Sequence, residues 1–316
     1  MIGFDIGGTK CAVSVGEIRD GMLTIINKKS IPTDLTVSPY VMLERMCVIA
    51  EELASETNSD LSRVGISCGG PLDTSRGLIL SPPNLRGWDN VEAVRFIEKR
   101  LGCKALLRND ADACALAEFK YGAGRGYNSI AFFTFGTGLG AGLILGGKLW
   151  QGARGLAGEV GHIRLAEDGP IGYRKHGSFE GFCSGGGIAQ LGRAAAKRAL
   201  DEGKTLPYCT SEGDLDGINA KVLADYARQG EPVARSVFDE TAKRLGQGLA
   251  IVFDMLDIEA AVIGSIFTRC EDLLREGMEK VLFEEALSGS NCKVLPAVLG
   301  EKIGDYAALS VATEIE

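Results

Sequence analysis

Asp5-Ile6-Gly7-Gly8-Thr9-Lys10 stands near the start of the chain, flanked by Ile2 before it and the apolar Cys11–Val15 run after it. Residues 2–15 therefore read as a strand, a Gly-Gly turn and a second strand. Thr24 to Ile31 adds a third, which makes an antiparallel meander. Glycines in the turn let the backbone bend tightly and bring N–H groups close to an anion. Thr9 adds a hydroxyl donor and Lys10 a positive charge. Asp5, at the end of a buried strand, is acceptor-only when ionised and is placed to hold Mg²⁺ through water. The plainer reading of the same six residues is a β-hairpin with a solvent-facing Asp, and short glycine motifs match often by chance.

Outward from this turn, apolar residues recur at helical spacing over Val41 to Ala54. Val64 to Cys68 is a short strand that ends in Gly69, Gly70 and Pro71, and turn chemistry dominates Ser81 to Gly87. Val91 to Leu101 is helical, Ala105 to Leu107 a strand, and Ala111 to Tyr121 a helix. A second cycle opens with a strand at Ile130 to Phe135, the glycine turn Gly136-Thr137-Gly138-Leu139-Gly140-Ala141-Gly142, and a strand at Leu143 to Leu145. The order strand, glycine turn, strand thus occurs twice, a repeat of architecture and not of sequence. Beyond Gly187 the chain is mostly helical, with strands at Ala260–Ile263 and Cys292–Pro296 and a closing helix from Asp305. Two α/β domains facing one cleft are expected, with residues 1–120 in the first, 121–302 in the second, and 303–316 packing back on the first.

Two standard nucleotide motifs are excluded. The second glycine turn leads into a strand, whereas a dinucleotide fingerprint opens a helix. Gly142 to Lys148 matches most of a Walker A pattern, but Leu149 stands where a Ser or Thr should ligate Mg²⁺, and the stretch reads as a hairpin.

Asn109 and Asp110 follow a short apolar strand and open a helix, at the strand's carboxyl end. An amide both donates and accepts, and a carboxylate can take a hydroxyl proton as a phosphoryl group is transferred. Helix N-capping is the alternative role for both. Gly158-Glu159-Val160-Gly161-His162 follows a glycine-rich stretch. The chain has only two histidines, so a pair of Glu-x-x-His metal motifs is impossible. His162 is either a structural residue or, with Glu159, a reader of vicinal sugar hydroxyls.

Composition narrows the class of partner. A net charge of −8 over 316 residues argues against general affinity for nucleic acid or anionic membranes. Nine scattered cysteines without a C-x-x-C pair fit thiols in a reducing compartment. No secretory leader is read, and no apolar run is long enough to span a bilayer. A cytoplasmic location is expected.

In order along the chain, the motifs are DIGGTK, the GGP turn at Gly69 to Pro71, Pro83-Asn84, NDAD, GTGLGAG and GEVGH. In this combination the chain resembles the ROK (repressor, ORF, kinase) sugar kinases from Asp5 through at least Gly264. The resemblance implies an α/β, actin-like ATPase (ribonuclease H-like) fold, with two domains around a central cleft. It implies an ATP- and Mg²⁺-dependent kinase that phosphorylates a hexose or hexose derivative at a hydroxyl, the 6-hydroxyl, and acts as a homodimer. Carried over by position, Asp110 is the general base. Gly70 (through its backbone), Asn84, Asn109, Asp110, Glu159, His162 and Glu180 contact the sugar. Gly7, Gly8, Thr9, Lys10, Thr137 and Gly138 surround the phosphates, Asp5 serves the metal, and Gly264 lies by the adenosine.

Two departures from that pattern matter. The family commonly places three cysteines and the GEVGH histidine on a structural zinc; here Gly169 to Ser178 lacks all three, so no structural zinc is expected. Cys183 and His176 are too few to rebuild such a site with His162. Ser265 follows Gly264 where the family usually has further glycines, which bears on nucleotide preference. Family repressors carry a helix-turn-helix domain ahead of the first glycine motif; only four residues precede Asp5, so no such domain is expected. A sugar-binding protein without catalysis remains the rival reading, opposed by the presence of Asp5, Asp110 and both glycine turns in one chain.

Overall fold

The computed structural model describes residues 1–315, which group into two compact units. Unit 1 comprises Met1–Gly126, Gly142–Ala157 and the residues from Val298 onward; unit 2 comprises Tyr127–Ala141 and Gly158–Ala297. The sequence expectation drew its boundaries at 120 and 302.

Unit 1 begins with β1 (Ile2–Ile6), β2 (Lys10–Arg19) and β3 (Met22–Pro32), followed by α1 (Pro39–Thr57) and β4 (Arg63–Cys68). The short β5 (Leu72–Asp73) and β6 (Leu78–Ile79) precede α2 (Ala93–Leu101), β7 (Lys104–Asn109) and α3 (Asp110–Tyr121). The sheet order is β3-β2-β1-β4-β7. β1, β2 and β3 form the expected antiparallel meander, whereas β4 and β7 run parallel to β1.

Alternation along the strands decides which face each residue serves. Ile2, Phe4 and Ile6 of β1, and Val64, Ile66 and Cys68 of β4, join Met42, Leu43 and Met46 of α1 in one buried cluster. Full burial of each large member stabilises the fold by roughly 1.5–3 kcal/mol. The alternate residues Gly3, Asp5 and Gly65 face the opposite way.

Further along, β8 (Ile130–Phe133) belongs to unit 2, and the hairpin of β9 (Ala141–Leu145) and β10 (Lys148–Leu149) falls almost wholly in unit 1. Gly142 permits the approach to α3, because a β-carbon there would stand 2.4 Å from the Ala111 carbonyl oxygen. Unit 2 continues through β11 (Ile171–Gly172), β12 (Lys175–His176), α4 (Phe179–Phe182), α5 (Gly185–Asp201), α6 (Ala220–Arg228) and α7 (Pro232–Leu256). It closes with β13 (Ala260–Ile263), α8 (Ile266–Arg269), α9 (Glu271–Glu285) and β14 (Lys293–Pro296). β13 lies parallel between β8 and β14. The long α7 packs on α5, α6 and α9, and Gly248 in it makes room for the fully buried Phe179 ring.

The last helix, α10 (Ile303–Ala312), returns to unit 1 and lies on β1, β4 and α3. Gly3 and Gly65 make this seat. A β-carbon on Gly65 would come within 2.1 Å of the Ala308 carbonyl oxygen, and one on Gly3 within 2.9 Å of the Leu309 nitrogen. The helix expected over 303–316 ends at Ala312, and Glu316 is outside the described residues. Among the described residues no helix is long and apolar enough to cross a membrane. All nine cysteines are unpaired thiols.

Candidate active site

Strand register builds the unit 1 part of the site. Ile6 is level with Cys68, and Cys68 with Asn109, so Gly7, Gly69 and Asp110 all emerge at the carboxyl edge of the sheet. Open α/β sheets bind ligands at that edge.

The first glycine turn is closed by the Gly7 N–H donating to the Lys10 carbonyl (3.1 Å). It is braced by the Thr33 hydroxyl donating to the Gly7 carbonyl (2.6 Å). Gly8 lies directly on the Pro83-Asn84 loop, where a β-carbon would be 2.6 Å from the Asn84 carbonyl oxygen. Thr9, Lys10 and Asn84 are exposed. Half-buried Asp5 sits on the α10 face, and an added β-carbon at Gly304 would be 2.5 Å from its Oδ2. Burial first, then the negative charges of Asp305 and Asp110, push the Asp5 carboxyl up to about 6, against the pull of Lys10 and Lys28. Asp305 is itself buried and paired with Lys28 Nζ at 2.6 Å. A carboxylate crowded by other carboxylates is a place that favours a cation. No cluster of three metal-ligating side chains exists among the described residues; a lone carboxylate such as Asp5 suits a Mg²⁺ ion that keeps most of its water, not one held in an all-protein cage.

Asn109 is the N-cap of α3, its side-chain oxygen accepting from the Ala111 N–H at 3.0 Å. Its amide nitrogen faces Gly70, where a β-carbon would be 3.2 Å away. Asp110 Oδ1 accepts from the same Ala111 N–H at 2.8 Å, and its Oδ2 is on the side of Gly69. Capping and an outward-facing carboxylate therefore coexist here. Asp110 is exposed, although protein atoms surround it densely. Its accessible surface decides that a ligand can reach it; the crowding withdraws water and raises its pKa, against the pull of the Ala111 N–H.

In unit 2 the second glycine turn is held by Gly136 N–H to the Gly138 carbonyl (3.0 Å) and Thr134 N–H to the Gly140 carbonyl (2.9 Å). Glu180, on α4, accepts from the Leu139 N–H at 3.1 Å, and a β-carbon at Gly138 would be 2.8 Å from its Oε2. Gly161 presses on the Leu139 carbonyl and the Glu180 β-carbon. Gly138, Glu180 and the GEVGH turn are thereby brought together. His162 is half-buried in the short 3₁₀ turn Val160–His162, and exposed Glu159 starts that turn.

Residues that another zinc arrangement would recruit are engaged elsewhere. Cys183 is buried with its thiol directed at the Thr241 carbonyl (3.6 Å), and burial lifts its pKa well above the ordinary thiol value. His176 Nδ1 lies 3.2 Å from the Gly169 carbonyl.

A cavity of about 730 Å³ opens in unit 2 and is lined by Gly136, Thr137, Gly185, Lys221, Ser265 and Arg269, among others. Ser265, not Gly264, reaches this lining; Gly264 is buried against Phe132 and Ala297. Ser265 has φ 57°, a region a non-glycine residue rarely adopts, and its hydroxyl accepts from Arg269 Nη2 at 3.2 Å. Sequence reasoning missed Lys221, Arg228 and Arg269. Lys221 and Arg228 stand on α6 and Arg269 on the distant α8, and no motif marks them; only the Ser265 departure signalled that the lining here is unusual.

A five-stranded β3-β2-β1-β4-β7 sheet with a glycine turn after its first strand defines the actin-like ATPase (ribonuclease H-like) class of α/β proteins. The chain belongs to the ROK family, whose profile matches residues 1–314. It is 31% identical to a glucokinase of Streptomyces coelicolor over 99% of this chain and 96% of that one. With an N-acetylmannosamine kinase of Escherichia coli it shares 31% identity over 83% of this chain and 81% of that one. The structure of a ROK family glucokinase from Streptomyces griseus, in complex with glucose and AMPPNP, superposes with a TM-score of 0.76 at 31% identity, covering 100% and 99% of the two chains.

Proposed function

We propose that this protein is an ATP-dependent sugar kinase that transfers the γ-phosphoryl group of ATP to the 6-hydroxyl of a hexose or hexose derivative. The observation that carries the reading is Asp110: an accessible carboxylate at the carboxyl edge of the parallel strands β1, β4 and β7, with one oxygen anchored by a backbone N–H and its pKa raised by crowding. A carboxylate shifted in that direction is a stronger base than an ordinary one. Asp110 takes the hydroxyl proton as the sugar oxygen bonds to phosphorus and the bond to ADP breaks, giving sugar phosphate, ADP and a proton. Asn84, Asn109, the Gly70 backbone, Glu159, His162 and Glu180 are the proposed partners of the sugar hydroxyls.

The proposed phosphate partners are the glycine turns, through Gly7, Gly8, Thr9 and Lys10 and through Thr137 and Gly138. The unit 2 cavity takes the adenosine, with Gly264 behind its wall. Asp5 would hold a Mg²⁺ ion through water, and that ion would supply charge neutralisation for the phosphates. Relatives named for glucose and for an N-acetylated amino sugar support the hexose class. Acceptor choice within that class depends on pocket shape and a few hydroxyl contacts.

A coupled assay for ADP release with glucose, fructose, N-acetylmannosamine and N-acetylglucosamine tests the proposal. One acceptor should turn over, and Asp110→Asn should lower kcat by about 10²–10⁴-fold while sugar affinity, measured calorimetrically, changes little. Near-normal kcat in the variant removes the base assignment. Sugar binding without ADP release from any acceptor points instead to a binding or regulatory protein.

A further inference from the structure

The hairpin that follows the GEVGH turn has a geometry that the proposed mechanism does not use. β11 and β12 are joined by Tyr173 and Arg174, both with left-handed φ (43° and 66°). Two-residue hairpin turns of this hand normally carry Asn or Gly, because larger side chains resist the conformation. Such strain persists where surrounding contacts over-determine it, and it gathers at ligand sites.

The contacts converge on one residue. The Tyr173 ring packs against the His162 imidazole with centroids 4.9 Å apart and planes at 71°. Lys175 Nζ donates to the His162 carbonyl at 2.6 Å. The base of the hairpin is itself tied down. Arg164 donates to the His176 carbonyl at 2.8 Å, and the Gln190 side chain exchanges two 2.9 Å bonds with the Ile171 backbone. Tyr173 is 72% exposed, so core packing does not explain where its ring lies. An aromatic contact restrains rotation of an imidazole without a hydrogen bond, which leaves the ring nitrogens for other partners.

We infer that Tyr173 is a positioning residue for sugar recognition: it restrains the His162 ring, whose backbone Lys175 anchors, so that the ring nitrogens meet the sugar hydroxyls. The sugar-binding role of His162 rests on the proposed function; the clamp on the ring does not. With only two histidines in the chain, proton NMR resolves the His162 ring, and His176→Gln assigns it. Tyr173→Ala should move the His162 ring signals and raise the sugar KM about 3–10-fold, the range an aromatic contact of this kind is worth. kcat and the ATP KM should stay within twofold, and Tyr173→Phe should restore both readouts. A sugar KM within twofold of wild type in Tyr173→Ala, or equal impairment in Tyr173→Phe, overturns the inference. Wild-type protein that phosphorylates no sugar in the panel sinks the function reading alone. In that case unmoved His162 signals in Tyr173→Ala overturn the clamp, and moved ones uphold it.

Discussion

Replacing Asp5 with Asn should make the ligand-free protein more stable and catalytically poor. The Asp5 carboxyl rises from 3.8 in the unfolded chain to about 6 in the fold, mainly through burial and then through Asp305 and Asp110. At 1.36 kcal/mol per pKa unit, the fold disfavours the charged carboxylate by about 2–3 kcal/mol. The fold prefers the protonated form. That contribution to stability is complete below about 3.8 and is lost as pH rises through about 6.

Asn is neutral throughout and close in shape, so it escapes this loss. At pH 8 the variant should melt about 5–10 °C above wild type, from roughly 2–4 °C per kcal/mol for a unit of this size. The gap should close toward pH 4. Differential scanning calorimetry without nucleotide or Mg²⁺ at pH 4, 6 and 8 measures it. Added MgATP should lift the wild-type midpoint more than the variant's, since the cation favours the carboxylate. A variant that melts at or below wild type at pH 8, or a gap that does not change with pH, refutes the reasoning.

Two further outcomes bear on the site. Arg269→Ala removes a guanidinium from the cavity lining; it should raise the ATP KM about tenfold, as for one charged hydrogen bond, with the sugar KM within twofold, both read by the coupled assay. Elemental analysis of purified protein should find far less than one zinc per chain, because Cys183 and His176 are turned to backbone carbonyls; one tightly held zinc would contradict that.

What could be read from the sequence followed from local rules. The strand–glycine–strand segment around Asp5 and the Asn109-Asp110 step declare themselves through alternation and turn chemistry, and β1, β2, β7 and α3 lie where those signals place them. Asn109 shows that one residue can cap a helix and still turn a polar group away from it, with its oxygen on the Ala111 N–H and its amide toward Gly70. Other features depend on contacts distant in the chain. The 142–157 segment groups with unit 1 through Gly142 against Ala111, a fit that no local pattern encodes. Burial of Asp305 against Lys28 is likewise tertiary, and so is the left-handed backbone at Ser265, where residue type alone argues for another conformation. Tyr173 and Arg174 are poor turn formers by composition, and the sequence carried no sign that they close a hairpin over His162.

The docking of α10 on Gly3 and Gly65 has a consequence for synthesis on the ribosome. Every strand of the first sheet has been made once Asn109 emerges, yet one face of β1 and β4 waits for residues after 303. At about 5–20 residues per second, the intervening roughly 190 residues take about 10–40 s to make, during which that face has no cover. A nascent chain stalled before Ile303 should therefore engage holdase chaperones, and truncation or a rigid C-terminal fusion should harm the amino-terminal unit more than the unit nearer to it in sequence.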